Sequence, residues 1–341
     1  MNPDFTVRST SRIYIAPAGE LLPRLVENRR VVVVTDATID RLYSELLASY
    51  EKILIGRGET IKTLQTVEQI IRRLIALGAD RHTFLLAVGG GIISDITGFV
   101  ASIYMRGIRF GFLSTTLLGQ VDASVGGKNG VNLDGYKNMV GCFTQPEFVV
   151  CDPAMLRTLP EREFRAGLAE IVKAAIIGDE GMFRRLEQAT VEELRRDKEL
   201  LAAAVRSAVR VKAEIVERDE REAGERRLLN LGHTVAHAIE KSSQQLIHGE
   251  AVAVGTAVMA DVAVTMGLLS AAERDRIRRV LERLGLATEP PVAMPKLLKE
   301  MVKDKKSAGG VLHLVLPRAI GRCEVVAVEK EQLPRWFGIG E

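Results

Sequence analysis

Through the first half of the chain, short β-branched and aliphatic runs alternate with segments whose apolar positions recur at helical spacing. The runs at 31–35, 53–55 and 84–88 read as strands, and the stretches that follow, 39–47, 67–77 and 92–105, read as helices. Such alternation builds a parallel sheet with crossover helices. Near Cys151-Asp152-Pro153 the pattern changes, and from 161 to 286 almost every segment has helical period, with long examples at 191–217 and 271–284. Two late strand-like runs, 312–316 and 323–328, are joined by 317–321 and predict an appended hairpin. The expectation is an α/β domain over 1–152 followed by a mainly helical, all-α domain over 153–341, a division that suits a chain of 341 residues.

Composition narrows the classes. With 47% hydrophobic, 27% charged and 5% aromatic residues the chain reads as a folded globular protein. Its formal charge of +3 comes from bases interspersed with acids, so no nucleic-acid track is expected. Three cysteines, Cys142, Cys151 and Cys323, show no CxxC spacing and predict reduced thiols in the cytoplasm. The first ten residues lack the pattern of an export signal. The most apolar run, 251–264, is broken by Asp261 and falls short of the ~20 residues that span a bilayer, so it predicts a buried helix and no membrane partner.

Two regions concentrate chemistry. The run at 84–88 leads into Gly89-Gly90-Gly91 and then a helix. Glycines admit a ligand close to the backbone, and a helix start attracts a pyrophosphate. Asp36 ends the first strand, where a carboxylate can accept ribose hydroxyls, and Glu59 and Lys62 lie in another loop after a strand. Ser114-Thr115-Thr116 ends a further strand and leads to a loop rich in glycine, hydroxyl and lysine, from Asp122 through Lys128 to Tyr136-Lys137-Asn138, suited to holding anions. In the helical half, three of the five histidines, His233, His237 and His248, fall within a short span, and Glu170 shares a helix face with Lys173. An acid and a base on an apolar helix are costly unless used. Two imidazoles and a carboxylate are the donor pattern of catalytic zinc, and spacing alone makes His233 and His237 the ligand pair.

In order, GGGIISDITGF, YMRG, STTLLGQVDASVGGK, YKN, LAEIVK, RRLLNLGHTVAHAIE and HGEAVAVG closely resemble the dehydroquinate synthase family, within the sugar-phosphate cyclases. The resemblance implies a Rossmann-like NAD-binding N-terminal domain, a helical metal-binding C-terminal domain and a homodimer. It implies zinc, with Co2+ as an alternative, on Glu170, His233 and His248, and makes His237 a proton-handling or substrate-binding residue. NAD would contact Asp36, Glu59, Lys62, Gly90, Gly91, Asp95, Thr115, Thr116, Asp122, Lys137, Thr158 and Glu163. Substrate would meet Asp122, Lys128, Asn138, Lys173, Lys212, Arg226, Asn230, His237 and Lys305 or Lys306, with Arg106 supplied by the partner subunit.

The chemistry implied is conversion of a heptulosonate phosphate to a carbocycle by transient oxidation, phosphate loss, re-reduction and internal aldol closure. Another sugar-phosphate cyclase or a metal-dependent polyol dehydrogenase stands as the alternative. The chain departs from the family at Ser94, Gly119-Gln120, Asn129 and Tyr136, of which Ser94 adds bulk near the expected pyrophosphate.

Overall fold

The computed structural model describes residues 2–243, 245–303 and 310–339, so Lys305 and Lys306, one of which is expected to meet substrate, lie outside the described residues. The chain divides into two units, Met1–Pro160 and Glu161–Glu341.

The first unit is built on β1 (Phe5–Val7), β2 (Ser11–Ile15), β3 (Val31–Asp36), β4 (Glu51–Ile55), β5 (Phe84–Gly89), β6 (Phe110–Ser114) and β9 (Phe148–Cys151), with a separate hairpin of β7 (Lys128–Leu133) and β8 (Tyr136–Phe143). The seven strands order as β1-β2-β9-β6-β5-β3-β4. β1 pairs antiparallel with β2, and every other neighbour is parallel. β3, β5 and β9 are buried at every residue, as expected of strands covered on both faces. Phe84 and Phe148 stack at 5.3 Å across the sheet.

From β3 the chain moves outward to β4, then returns to β5 on the other side of β3 and continues to β6. The direction therefore reverses between β3 and β5, whose carboxyl ends are Asp36 and Gly89. Open parallel sheets bind ligands at that reversal.

The α-helices of this unit among the described residues are α1 (Ala18–Leu25), α2 (Ala37–Leu42), α3 (Ser44–Leu47), α4 (Leu64–Ala76) and α5 (Gly91–Ile103). The helix expected over 39–47 starts earlier and is split at Tyr43. The early start follows from Asp36, whose carboxylate accepts the Thr38 and Ile39 N–H groups at 2.7 and 3.1 Å. The turn Pro153–Thr158 belongs to the first unit and not to the helical half, where the sequence placed it. Met155 is buried in the core of the first unit, and the Tyr43 hydroxyl donates to the Met155 carbonyl at 2.9 Å. From Lys128 onward, the stretch expected as a loop is instead the β7–β8 hairpin.

The second unit contains α6 (Glu161–Gly178), α7 (Glu180–Leu186), α8 (Val191–Arg196), α9 (Lys198–Arg218), α10 (His233–Ser242), α11 (His248–Thr265), α12 (Ala271–Arg283), α13 (Met294–Lys303), the hairpin β10 (Val311–Ala319) with β11 (Arg322–Glu329), and α14 (Leu333–Trp336). The single helix expected over 191–217 breaks at Asp197, whose carboxylate caps α9 through Glu199 and Leu200 N–H, both at 2.9 Å.

Almost all of α11 is buried, and it is not long and apolar enough to cross a membrane; nor is any other helix among the described residues. Two of its glycines permit backbone contact. A Cβ at Gly249 would meet the Ala166 carbonyl of α6, and one at Gly255 would meet the Gly232 carbonyl just before α10. Gly255→Ala is therefore expected to cost about 1–3 kcal/mol through overpacking, read as a lower midpoint in urea; an unchanged midpoint would show that α11 can move away freely.

Candidate active site

Three helices of the second unit deliver one donor each. Glu170 lies midway along α6 among Leu168, Ala169, Ile171 and Val172, with its side chain 1% exposed. His233 begins α10, after Gly232 at φ 77. That left-handed turn, and the Thr256 and Val252 backbone close beside it, exclude any residue with a side chain at Gly232. His248 begins α11, whose entry is fixed by the Glu250 carboxylate accepting the Ile247 N–H at 3.0 Å. Donor atoms of Glu170, His233 and His248 all lie within 4.8 Å of one another. The Nε2 atoms of His233 and His248 are 3.9 and 3.7 Å from Glu170 Oε1, spans that two bonds of about 2.0–2.2 Å to one ion can bridge.

The other nitrogen of each ring is occupied. His233 Nδ1 faces the Leu231 carbonyl at 3.2 Å, and His248 Nδ1 faces Glu240 Oε1 at 3.2 Å. Both contacts place the proton on Nδ1 and leave Nε2 as a lone-pair donor toward Glu170, the outer arrangement that orients metal-bound imidazoles. Glu170 Oε1 is buried and accepts no hydrogen bond, a costly state that a cation relieves. The donor set therefore fits a zinc-type ion with a coordination position left for substrate.

His237 stands edge-on to His233, ring centroids 5.7 Å apart, outside this donor group. The i,i+4 spacing that paired it with His233 is misleading, because the second imidazole comes from the start of the next helix, its ring 5.4 Å from that of His233.

Cations surround the site's own helices. Lys173 pairs with Glu170, both side chains almost wholly buried. Lys212 on α9 and Arg226 in the turn Glu225–Asn230 are buried as well. Arg226 donates to the Glu220 carbonyl, and the Asn230 amide to Glu222. Glu163, expected at the cofactor, is exposed in the first turn of α6.

In the first unit the expected cofactor residues gather at the carboxyl ends of the strands. Gly90 caps α5, and a Cβ on it would strike the Thr116 side chain; one on Gly91 would strike Ala123 of the turn Gly119–Ala123, which carries Asp122. Thr115, bonded through its N–H to the Gly89 carbonyl at 2.9 Å, is buried with its hydroxyl oxygen unpartnered. A glycine turn at a helix start, an acid at the end of β3 and an orphaned hydroxyl fit a dinucleotide. The Ser94 hydroxyl bonds the Gly91 carbonyl at 2.9 Å, so the added bulk is turned onto its own helix. Lys62 Nζ reaches Asp95 Oδ2 at 2.5 Å and Asn138 Oδ1 at 2.6 Å, joining two expected cofactor residues to an expected substrate residue. Burial pushes the Asp95 carboxyl up, outweighing the pull of the Lys62 ammonium downward.

Thr158 bonds Tyr43 at 2.8 Å. Lys128 opens β7 and Lys137 lies on β8, both exposed. Arg106 is exposed at φ 67 in the turn Tyr104–Arg106.

Residues 52–166 match the family model described as 3-dehydroquinate synthase N-terminal, and 167–307 match 3-dehydroquinate synthase C-terminal. The chain belongs to the 3-dehydroquinate synthase family. A 3-dehydroquinate synthase of Halorhodospira halophila is 46% identical over 310 residues, covering 89% of this chain and 87% of that protein. Among solved structures, ValA, a 2-epi-5-epi-valiolone synthase of Streptomyces hygroscopicus subsp. jinggangensis with NAD+ and Zn2+ bound, is 33% identical at a TM-score of 0.87, covering 97% of each chain. A 2-deoxy-scyllo-inosose synthase complexed with carbaglucose-6-phosphate, NAD+ and Co2+ is 25% identical at a TM-score of 0.84, covering 97% of this chain and 96% of that one. The family read from the motifs is thus confirmed, as is the α/β-plus-helical fold of a 3-dehydroquinate synthase.

Two residues in this family member escaped the sequence reading. Glu240 has a signal, since it lies one turn beyond His237 on the same face of α10. Asn132 has none, because its bonds depend on the hairpin. Replacing Glu240 with alanine is expected to weaken zinc binding about 10- to 100-fold in chelator competition; unaltered affinity would mean that His248 is oriented by something else.

Proposed function

We propose that this chain is a 3-dehydroquinate synthase, a carbon–oxygen lyase converting 3-deoxy-D-arabino-heptulosonate 7-phosphate to 3-dehydroquinate and phosphate. The carrying observation is the convergence of Glu170 with the Nε2 atoms of His233 and His248, in a chain 46% identical to a 3-dehydroquinate synthase. Those three residues hold the zinc or cobalt ion, and the glycine turn with Asp36 and Thr115 holds NAD. When bound, the dinucleotide supplies a reversible hydride acceptor and the ion a Lewis acid for a carbinol oxygen.

The chain's own groups do the remaining work. Lys173, Lys212 and Arg226 place positive charge against the carboxylate and phosphate of the substrate, and the planar fork of Arg226 suits either anion. All three are buried, Lys173 against Glu170. Asn230, Lys128 and Asn138 bind polar substrate groups. His237, flanking His233 outside the donor group, handles a proton or binds substrate through a ring nitrogen.

The protein acts as a cytoplasmic homodimer in which Arg106 serves the partner's site. The exposed turn in which both Met105 and Arg106 adopt left-handed backbone supports a projecting arginine. A sister cyclase is the second reading, favoured by the 33% identity to a valiolone synthase but set below the 46% identity to the dehydroquinate enzyme.

Supplied with the heptulosonate phosphate, catalytic NAD and zinc, the protein is expected to release phosphate without net NADH. Steady NADH build-up would instead identify a polyol dehydrogenase, and no phosphate release would refute the assignment. Glu170→Gln and His248→Ala are each expected to lose turnover together with zinc; full zinc occupancy in both would overturn the ligand set.

A further inference from the structure

We propose that Asn132 is a positioning residue that fastens the turn bearing Glu59 and Lys62 to the β7–β8 hairpin, presetting the groups that meet cofactor and substrate. This rests on the NAD and substrate assignments above. Asn132 sits where the hairpin register shifts, between Val131, paired with Val140, and Leu133, paired with Tyr136. Such irregularities free a residue from the ladder and re-aim it. Its backbone N–H is directed out of the hairpin to the Lys62 carbonyl at 2.8 Å, and it forms an isolated parallel bridge with Thr63.

The side chain makes two further bonds of opposite sense. Asn132 Nδ2 donates to Glu59 Oε1 at 2.7 Å, and Asn132 Oδ1 accepts the Asn138 N–H at 2.9 Å. Asn138 is held at φ 55, a left-handed conformation that asparagine tolerates, and its own Oδ1 accepts from Lys62 Nζ. Lys62 in turn reaches Asp95. One amide therefore closes a ring of bonds linking Glu59, Lys62, Asn138 and, through Lys62, Asp95.

Only an amide satisfies both partners. A carboxylate at this position would still accept from Asn138 but would set a second negative oxygen against Glu59, and a shorter side chain would reach neither. The effect on cofactor then passes through Glu59, which makes it separable from a general loss of folding.

The test is a double-mutant cycle on the zinc-loaded protein, titrating NAD by calorimetry. Asn132→Asp is expected to weaken NAD binding about 10-fold or more, the scale of losing a hydrogen bond to a charged group, and less than about 3-fold when made in Glu59→Gln, because the repulsion is gone. Zinc content and Tm should stay near those of the parent. Should Asn132→Asp lower Tm, Asn132→Ser, too short to reach Glu59, carries the same cycle. Equal losses in both backgrounds, or NAD binding like the parent's, would overturn the proposal. The titration needs no sugar substrate, so a failed cyclisation assay with coupled titrations would sink the proposed function and leave the clamp, whereas full activity with uncoupled titrations would sink the clamp alone.

Discussion

A carboxylate oxygen buried without a hydrogen bond is the constraint around which the helical unit is arranged. Glu170 sits on α6 in an aliphatic setting where an ionised acid is expensive unless countered. Lys173 counters one oxygen, and the lone pairs of two imidazoles turn toward the other. Placing those imidazoles demands backbone contact between elements, which is why glycine stands at 232, 249 and 255. Larger residues would push α11 away from α6 and from the start of α10, and the three donors would no longer meet.

The first unit solves a different problem with the same economy of side chains. Its parallel strands bury valine, leucine and phenylalanine on both faces, so polar function can stand only where the strands end. The reversal between β3 and β5 brings Asp36 and the glycine turn to one end of the sheet. The hairpin β7–β8 then adds lysines and asparagines without belonging to that sheet, tied to it through Lys62 and Asn132.

Much of this was legible in the order of residues. Strand–helix alternation gave the α/β-plus-helical architecture, because it is a local pattern with a fixed period; the histidine cluster with Glu170 marked a metal site, and the reaction came from the family motifs. What was not legible depended on capping and on long-range partners. Asp197 breaks a helix that periodicity would continue, since its capping carboxylate outweighs an unbroken apolar face, whereas the break at Tyr43 has no side-chain cap. Met155 carries its turn into the first unit because it packs there, a fact that no composition shift announces. The grouping of His233 with His248 and not with His237 depends on how two helices meet, so it came from the family motifs and not from spacing along one helix.

The three donors come from stretches of chain widely separated in order yet confined to the second unit. A bound ion would therefore act as a cross-link closing two loops within that unit, lowering the entropy of its unfolded chain as well as the energy of its folded one. Removing that ion would therefore loosen the helical unit, since all three of its donors lie there.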